Sequence, residues 1–243
     1  MNHKTHIICH IPKTAGTTLR RHLKLLLEDQ ISLIHLARRG DIFCKKNNIV
    51  QYLKRSQADK NLARVIIGHN VNFDTKFHIS NKKTIESVIF RDPIDWEISR
   101  YNQHVNRMCL RRKQPISYEF WLKNVNKLHS QFDWLLANYY CLNHRIKALS
   151  KSLKKELLLS CLQNFDNIVM LEQFDDFIRY ILIDLKLNED LSQLKNQNVV
   201  GVDKVDYFER IPLNLELIKK QTEYDYSCLK DIKSNLSNLS LFG

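Results

Sequence analysis

Residues 6–23 read His-Ile-Ile-Cys-His-Ile-Pro-Lys-Thr-Ala-Gly-Thr-Thr-Leu-Arg-Arg-His-Leu, and their hydrophobic period changes midway. The β-branched Ile7, Ile8 and Ile11, just ahead of Pro12, describe a short buried strand. Leu19, Leu23, Leu26 and Leu27 recur at helical spacing, so an amphipathic helix follows. Between them lies Pro12-Lys13-Thr14-Ala15-Gly16-Thr17-Thr18, rich in small and hydroxyl side chains. A loop running from a strand into a helix N-terminus offers unpaired backbone N–H groups at the positive end of the helix dipole. Both suit a phosphate-like anion. Gly16 lets the backbone approach such an anion closely, Thr17 and Thr18 bring hydroxyl donors, and Lys13 brings a mobile positive charge. The order differs from the nucleotide-triphosphate loop, which needs glycine directly before the lysine and another five residues earlier. Pro12 and Ile7 hold those places here.

Residues 63–69, Ala-Arg-Val-Ile-Ile-Gly-His, describe a second buried strand ending at Gly68. In open parallel sheets chemistry gathers beyond the carboxyl ends of strands, where His69 falls. Histidine is the commonest general base near neutral pH, although a packed structural histidine fits the same position. A third strand, residues 86–90, leads into Arg91-Asp92-Pro93, with Asp92 suited to the N-cap and Pro93 to the first helical position. Ile94, Ile98, Tyr101, Val105 and Met108 then mark one apolar helix face. Arg91 and Ser99, a guanidinium and a hydroxyl, suit a phosphate monoester. A capped helix with an arginine ion pair is the plainer alternative.

The rest of the chain reads more coarsely. Helices are expected over residues 41–60, over the aromatic-rich residues 118–141 after a Ser117 cap, and, as one or two helices, over residues 213–239. A fourth strand is expected at residues 167–171, with a helix after it. Residues 147–155 form a basic amphipathic stretch, read as a solvated face, and residues 196–206 are polar and turn-like.

At 243 residues, with only 5 Gly and 4 Pro, the chain fits one α/β domain over residues 1–243 without long linkers. A net charge of +12 calls for an anionic partner but does not choose between nucleotide, polysaccharide, acidic lipid and nucleic acid. No recognisable nucleic-acid module is present, and the basic residues are dispersed. No apolar run reaches the length of a membrane span, so membrane contact is limited to the periphery. With no leader before the first strand, the expectation is a cytoplasmic, bacterial protein or a chain whose anchor is missing. The 6 Cys are scattered, which favours reduced thiols over a metal cluster. His3, His6 and His10 do not make a chelating set, because His6 and His10 share a strand face but lie too far apart.

The run His10-Ile-Pro-Lys-Thr-Ala-Gly-Thr-Thr18 resembles the 5′-phosphosulfate loop of sulfotransferases, nearest the branch of the heparan sulfate 2-O- and 6-O-sulfotransferases and bacterial relatives. Arg91-Asp-Pro followed by Ser99 resembles the 3′-phosphate motif of the same family, and Gly68-His69 with Phe73 resembles its catalytic-base segment. Weaker likenesses occur at Gln131, at Glu172 and at Tyr224-Asp225-Tyr226. The resemblance implies a P-loop-like three-layer fold, with a mainly parallel sheet wrapped by helices. It also implies sulfuryl transfer from 3′-phosphoadenosine 5′-phosphosulfate (PAPS) to a hydroxyl of a glycan or glycolipid, leaving adenosine 3′,5′-bisphosphate. By that likeness His69 is the base and Lys13 stabilises the leaving phosphate. Lys13, Thr14, Ala15, Gly16, Thr17, Thr18, Arg91 and Ser99 hold the donor, Lys204 is a candidate to cover it, and no metal is required. The alternatives are a P-loop-type small-molecule kinase, marked by Mg²⁺ and ATP dependence, and a non-enzymatic polyanion-binding protein.

Overall fold

A computed structural model describes residues 4–27, 34–36, 52–79, 83–125, 130–187 and 215–235. The strands β1 (Thr5–Cys9), β2 (Ile34–Leu36), β3 (Val65–Gly68), β4 (Thr84–Phe90) and β5 (Asn167–Met170) form one five-stranded sheet in the order β2-β3-β1-β4-β5. Every neighbouring pair is parallel. The helices are α1 (Gly16–Leu27), α2 (Gln57–Leu62), α3 (Pro93–Leu110), α4 (Tyr118–Asn124), α5 (Gln131–Tyr139), α6 (Lys151–Leu162), α7 (Phe174–Asp184) and α8 (Leu215–Asn235).

Alternation along the strands divides the core in two. Ile7, Cys9, Ile66, Val88, Phe90 and Ile168 pack on one side with Phe132, Leu135 and Leu136 of α5 and Leu158 and Leu162 of α6. Ile8, Val65, Ile67, Ile89 and Val169 pack on the other with Leu19 and Leu23 of α1 and Phe177, Ile178 and Ile181 of α7. Burial on both faces is why these strands read as nearly unbroken apolar runs. The result is the expected α/β architecture, a parallel sheet between helical layers. A third cluster, Tyr101, Val105, Tyr118, Trp121 and Ile218, joins α3, α4 and α8.

The strand order also creates a switch point at one edge of the sheet. The chain leaves β1 toward β2 and β3 on one side, then crosses to β4 on the other, so the direction of winding reverses between β1 and β4. Cys9 of β1 lies level with Gly68 of β3 and Val88 of β4. The loops after these three strands therefore share one edge, at the switch point where open α/β sheets form their crevice.

Two expectations change. The aromatic stretch at residues 118–141 is two helices rather than one. Ser130 accepts the N–H groups of Phe132 and Asp133 and so starts α5 afresh, while Cys141, at a φ of 55°, ends it in the left-handed conformation. Ile34–Leu36 is a strand that its short sequence does not announce. Within residues 41–60, a Ser56 cap starts α2; residues 41–51, residues 196–206 and Lys204 lie outside the described residues. No described helix is long and apolar enough to cross a membrane.

α8 carries a buried acid, Asp225, at 2% exposure. It accepts the Gln131 N–H at 3.1 Å, yet burial pushes its carboxyl up to about 7, with Asp133 and Glu97 adding repulsion. Between about pH 4 and pH 7 the folded chain thus keeps a proton that the unfolded chain releases, and this group's contribution to stability falls as pH rises through that window. In urea unfolding, Asp225→Asn should gain stability relative to wild type between pH 5 and pH 8 by a few kcal/mol. A difference that stays constant with pH would contradict this.

Candidate functional site

Beyond β1 the chain turns sharply. The His10 N–H donates to the Gly68 carbonyl at 3.1 Å, continuing the ladder past Cys9. The Thr14 hydroxyl then donates to the Ile11 carbonyl at 2.8 Å and closes the turn. Lys13 and Ala15 adopt left-handed φ values of 73° and 58°. Non-glycine residues reach that region at a cost of about 1–3 kcal/mol each, and alternating handedness makes successive N–H groups converge into an anion-binding nest. The Ala15 carbonyl accepts the Leu19 N–H at 3.1 Å, so α1 begins at Gly16, with no acidic residue in its first turn to offset the helix dipole. Gly16, Thr17 and Thr18 are thus the first helical turn rather than loop. Thr17 is exposed, whereas Thr14 and Thr18 are buried.

Gly16 has a reason that sequence reasoning did not reach. A Cβ there would fall 2.1 Å from Nε2 of His10, in severe clash with the imidazole ring. That ring is buried and stacks on His69 with centroids 4.3 Å apart. Trp134 meets the His69 ring edge-on at 5.8 Å. Nδ1 of His69 lies 2.7 Å from the His10 carbonyl oxygen. A carbonyl can only accept, so Nδ1 carries the proton and the lone pair of the neutral ring sits on Nε2. The segment after His69 is anchored by Lys76, whose ammonium lies 2.8 Å from the buried Glu86 carboxylate. Tyr139 donates to the same carboxylate at 3.0 Å, and burial raises the pKa of Glu86 despite both partners.

β4 delivers Arg91 to the same edge. Asp92 caps α3 as expected, its Oδ1 accepting from the N–H groups of Ile94 at 2.9 Å and Asp95 at 3.1 Å, with Pro93 next. The Gln131 side chain brackets the Arg91 backbone: its Oε1 accepts the N–H at 3.1 Å and its Nε2 donates to the carbonyl at 2.7 Å. The Arg91 guanidinium makes a long 3.8 Å contact with Asp95, and its buried Nε has no partner among the described residues. Ser99 lies in the second turn of α3, one turn on from Asp95 and Trp96, half-buried.

The two motifs touch through Trp96. Its indole N–H donates to the Pro12 carbonyl at 2.7 Å, tying α3 to the loop after β1. Arg100 lies over the Trp96 ring at 4.4 Å and helps to hold it. Beside Asp92, a cleft of about 460 Å³ opens between Met170 and Glu172 after β5 and Tyr226, Leu229, Lys230 and Lys233 of α8. The roles of Trp96, His10 and Gln131 were not legible beforehand. The one clue was that a buried indole N–H needs an acceptor.

A family model described as Sulfotransferase family matches residues 1–207. No curated protein matches the chain.

Gly16→Ala must displace the His10 ring and should cost about 1–3 kcal/mol in urea unfolding, as overpacking does. Made on a His10→Ala background, the same substitution should cost far less, because the volume is then vacant. A double-mutant cycle with no coupling would show that the ring does not set the requirement.

Proposed function

Because the chain belongs to the sulfotransferase family, we propose that it moves a sulfuryl group from PAPS to a hydroxyl of a carbohydrate or glycolipid acceptor. The observation that carries this reading is the meeting of the β1 loop and the Arg91 corner across the β1–β4 switch point, joined by the bond from Trp96 to Pro12. A donor phosphorylated at both the 3′ and 5′ positions needs two anion sites a fixed distance apart. The residues fit such a group: the left-handed Lys13 and Ala15 shape one site, and the orphaned Nε of Arg91 marks the other.

Bound PAPS supplies a sulfuryl group already activated by its link to phosphate. The chain's own residues supply position and charge. Lys13, the N–H groups from Thr14 to Thr18 and the hydroxyls of Thr17 and Thr18 neutralise charge on the leaving phosphate. The Thr14 hydroxyl is spent on Ile11, so its part is to hold the loop. Arg91 and Ser99 hold the 3′-phosphate. His69 takes the acceptor's proton at Nε2 while the His10 carbonyl fixes its Nδ1–H, a contribution of about 10²–10⁴ in rate for a placed base. The net charge of +12 suits an acidic glycan and peripheral contact with an acidic surface.

Isothermal titration with adenosine 3′,5′-bisphosphate, with 5′-AMP as control, tests the donor site. The bisphosphate should bind at least tenfold tighter, and Arg91→Ala should erase most of that preference, about 1.5–3 kcal/mol for a charge-assisted contact. Lys13→Ala and His69→Ala should lower kcat by about 10²–10⁴ with the fold intact. Near-normal turnover of the His69 variant removes it as base, and Mg²⁺-dependent transfer from ATP would establish a kinase instead.

A further inference from the structure

The corner that presents Arg91 is gripped by a helix beyond the family match, which ends at residue 207 while α8 runs over Leu215–Asn235. Two successive residues of α8 reach the corner. Asp225 accepts the backbone N–H of Gln131 at 3.1 Å, and Gln131 in turn brackets the N–H and carbonyl of Arg91. Tyr226 acts directly: its hydroxyl donates to Oδ2 of Asp92 at 2.6 Å. Oδ1 of Asp92 already serves the N–H groups of Ile94 and Asp95, so this bond engages the carboxylate's second oxygen. A carboxylate next in sequence to Arg91, with one oxygen released, can turn toward the guanidinium and compete with any anion that the arginine is to hold.

Resting on the assignment of Arg91 to the donor's 3′-phosphate, we propose that Tyr226 is a positioning residue for that phosphate. By occupying the outer oxygen of Asp92 it fixes the start of α3 and keeps the Arg91 guanidinium for the ligand. The C-terminal helix is then part of donor selection and not only a cover for the core. The hydroxyl can be removed cleanly, because Tyr226 is 39% exposed while α8 is seated by the buried Ile218, Cys228 and Ile232.

The test is Tyr226→Phe in the full chain, titrated with adenosine 3′,5′-bisphosphate and with 5′-AMP, with thermal unfolding measured alongside. The bisphosphate should bind about 3- to 10-fold more weakly, with affinity for 5′-AMP unchanged and the unfolding midpoint lower by no more than about 2–4 °C. The ratio of the two affinities is what a merely structural role does not move. A preference for the bisphosphate equal to wild type overturns the role of Tyr226, as does an equal loss for both nucleotides. A wild-type protein indifferent to the 3′-phosphate fails earlier, at the assignment of Arg91, and takes the proposal with it.

Discussion

The hydrogen bond from the Trp96 indole to the Pro12 carbonyl sets the distance between the two halves of the site. Parallel strands alone place the ends of β1 and β4 side by side, but they leave free how far each following loop leans over the sheet edge. Trp96 is buried, its N–H donates to that carbonyl, and Arg100 stacks on its ring. Moving α3 away from the loop after β1 would therefore strand a buried donor, at about 1–3 kcal/mol. One side chain thus holds the loop after β1 and the start of α3 in fixed relation.

On the other side of β1 the same economy holds. His10 contributes three separate parts: its N–H extends the ladder to Gly68, its carbonyl orients His69, and its ring fills the space that Gly16 leaves open. The loop after β1 and the segment that starts at His69 are thus a single packed unit. Behind them Glu86, Lys76 and Tyr139 form a buried polar anchor, which is costly to break from one side because an unpaired carboxylate would remain in the core.

What the sequence made legible was whatever depends on neighbours in the chain. Ile7 and Ile8 declared β1, Leu19 and Leu23 declared α1, and Asp92-Pro93 declared the start of α3, since caps and periodicities are local. The break between α4 and α5 was hidden because aromatic residues lie on both sides of it, Phe120 and Trp121 before and Phe132 and Trp134 after, while the decisive signal, Ser130, is a single side chain. The candidate residues Lys13, His69 and Arg91 could be placed at strand ends in advance. Their supports could not: Trp96 reaches Pro12, Gln131 reaches Arg91, and Tyr226 reaches Asp92 across long stretches of chain that carry no periodic mark. For Gly16 the packing against His10 was not legible, because a neighbour's volume has no expression in a string of residues.

The left-handed backbone at Lys13 and Ala15 carries a cost that the fold bears whether or not an anion is near. Conformational search by the loop is thereby moved from the moment of capture to the moment of folding, and encounter with a ligand requires little rearrangement. Glycine at either position would relax the backbone and harden the protein against heat while blunting its grip. In the proposed donor site thermal robustness and ligand capture are opposed.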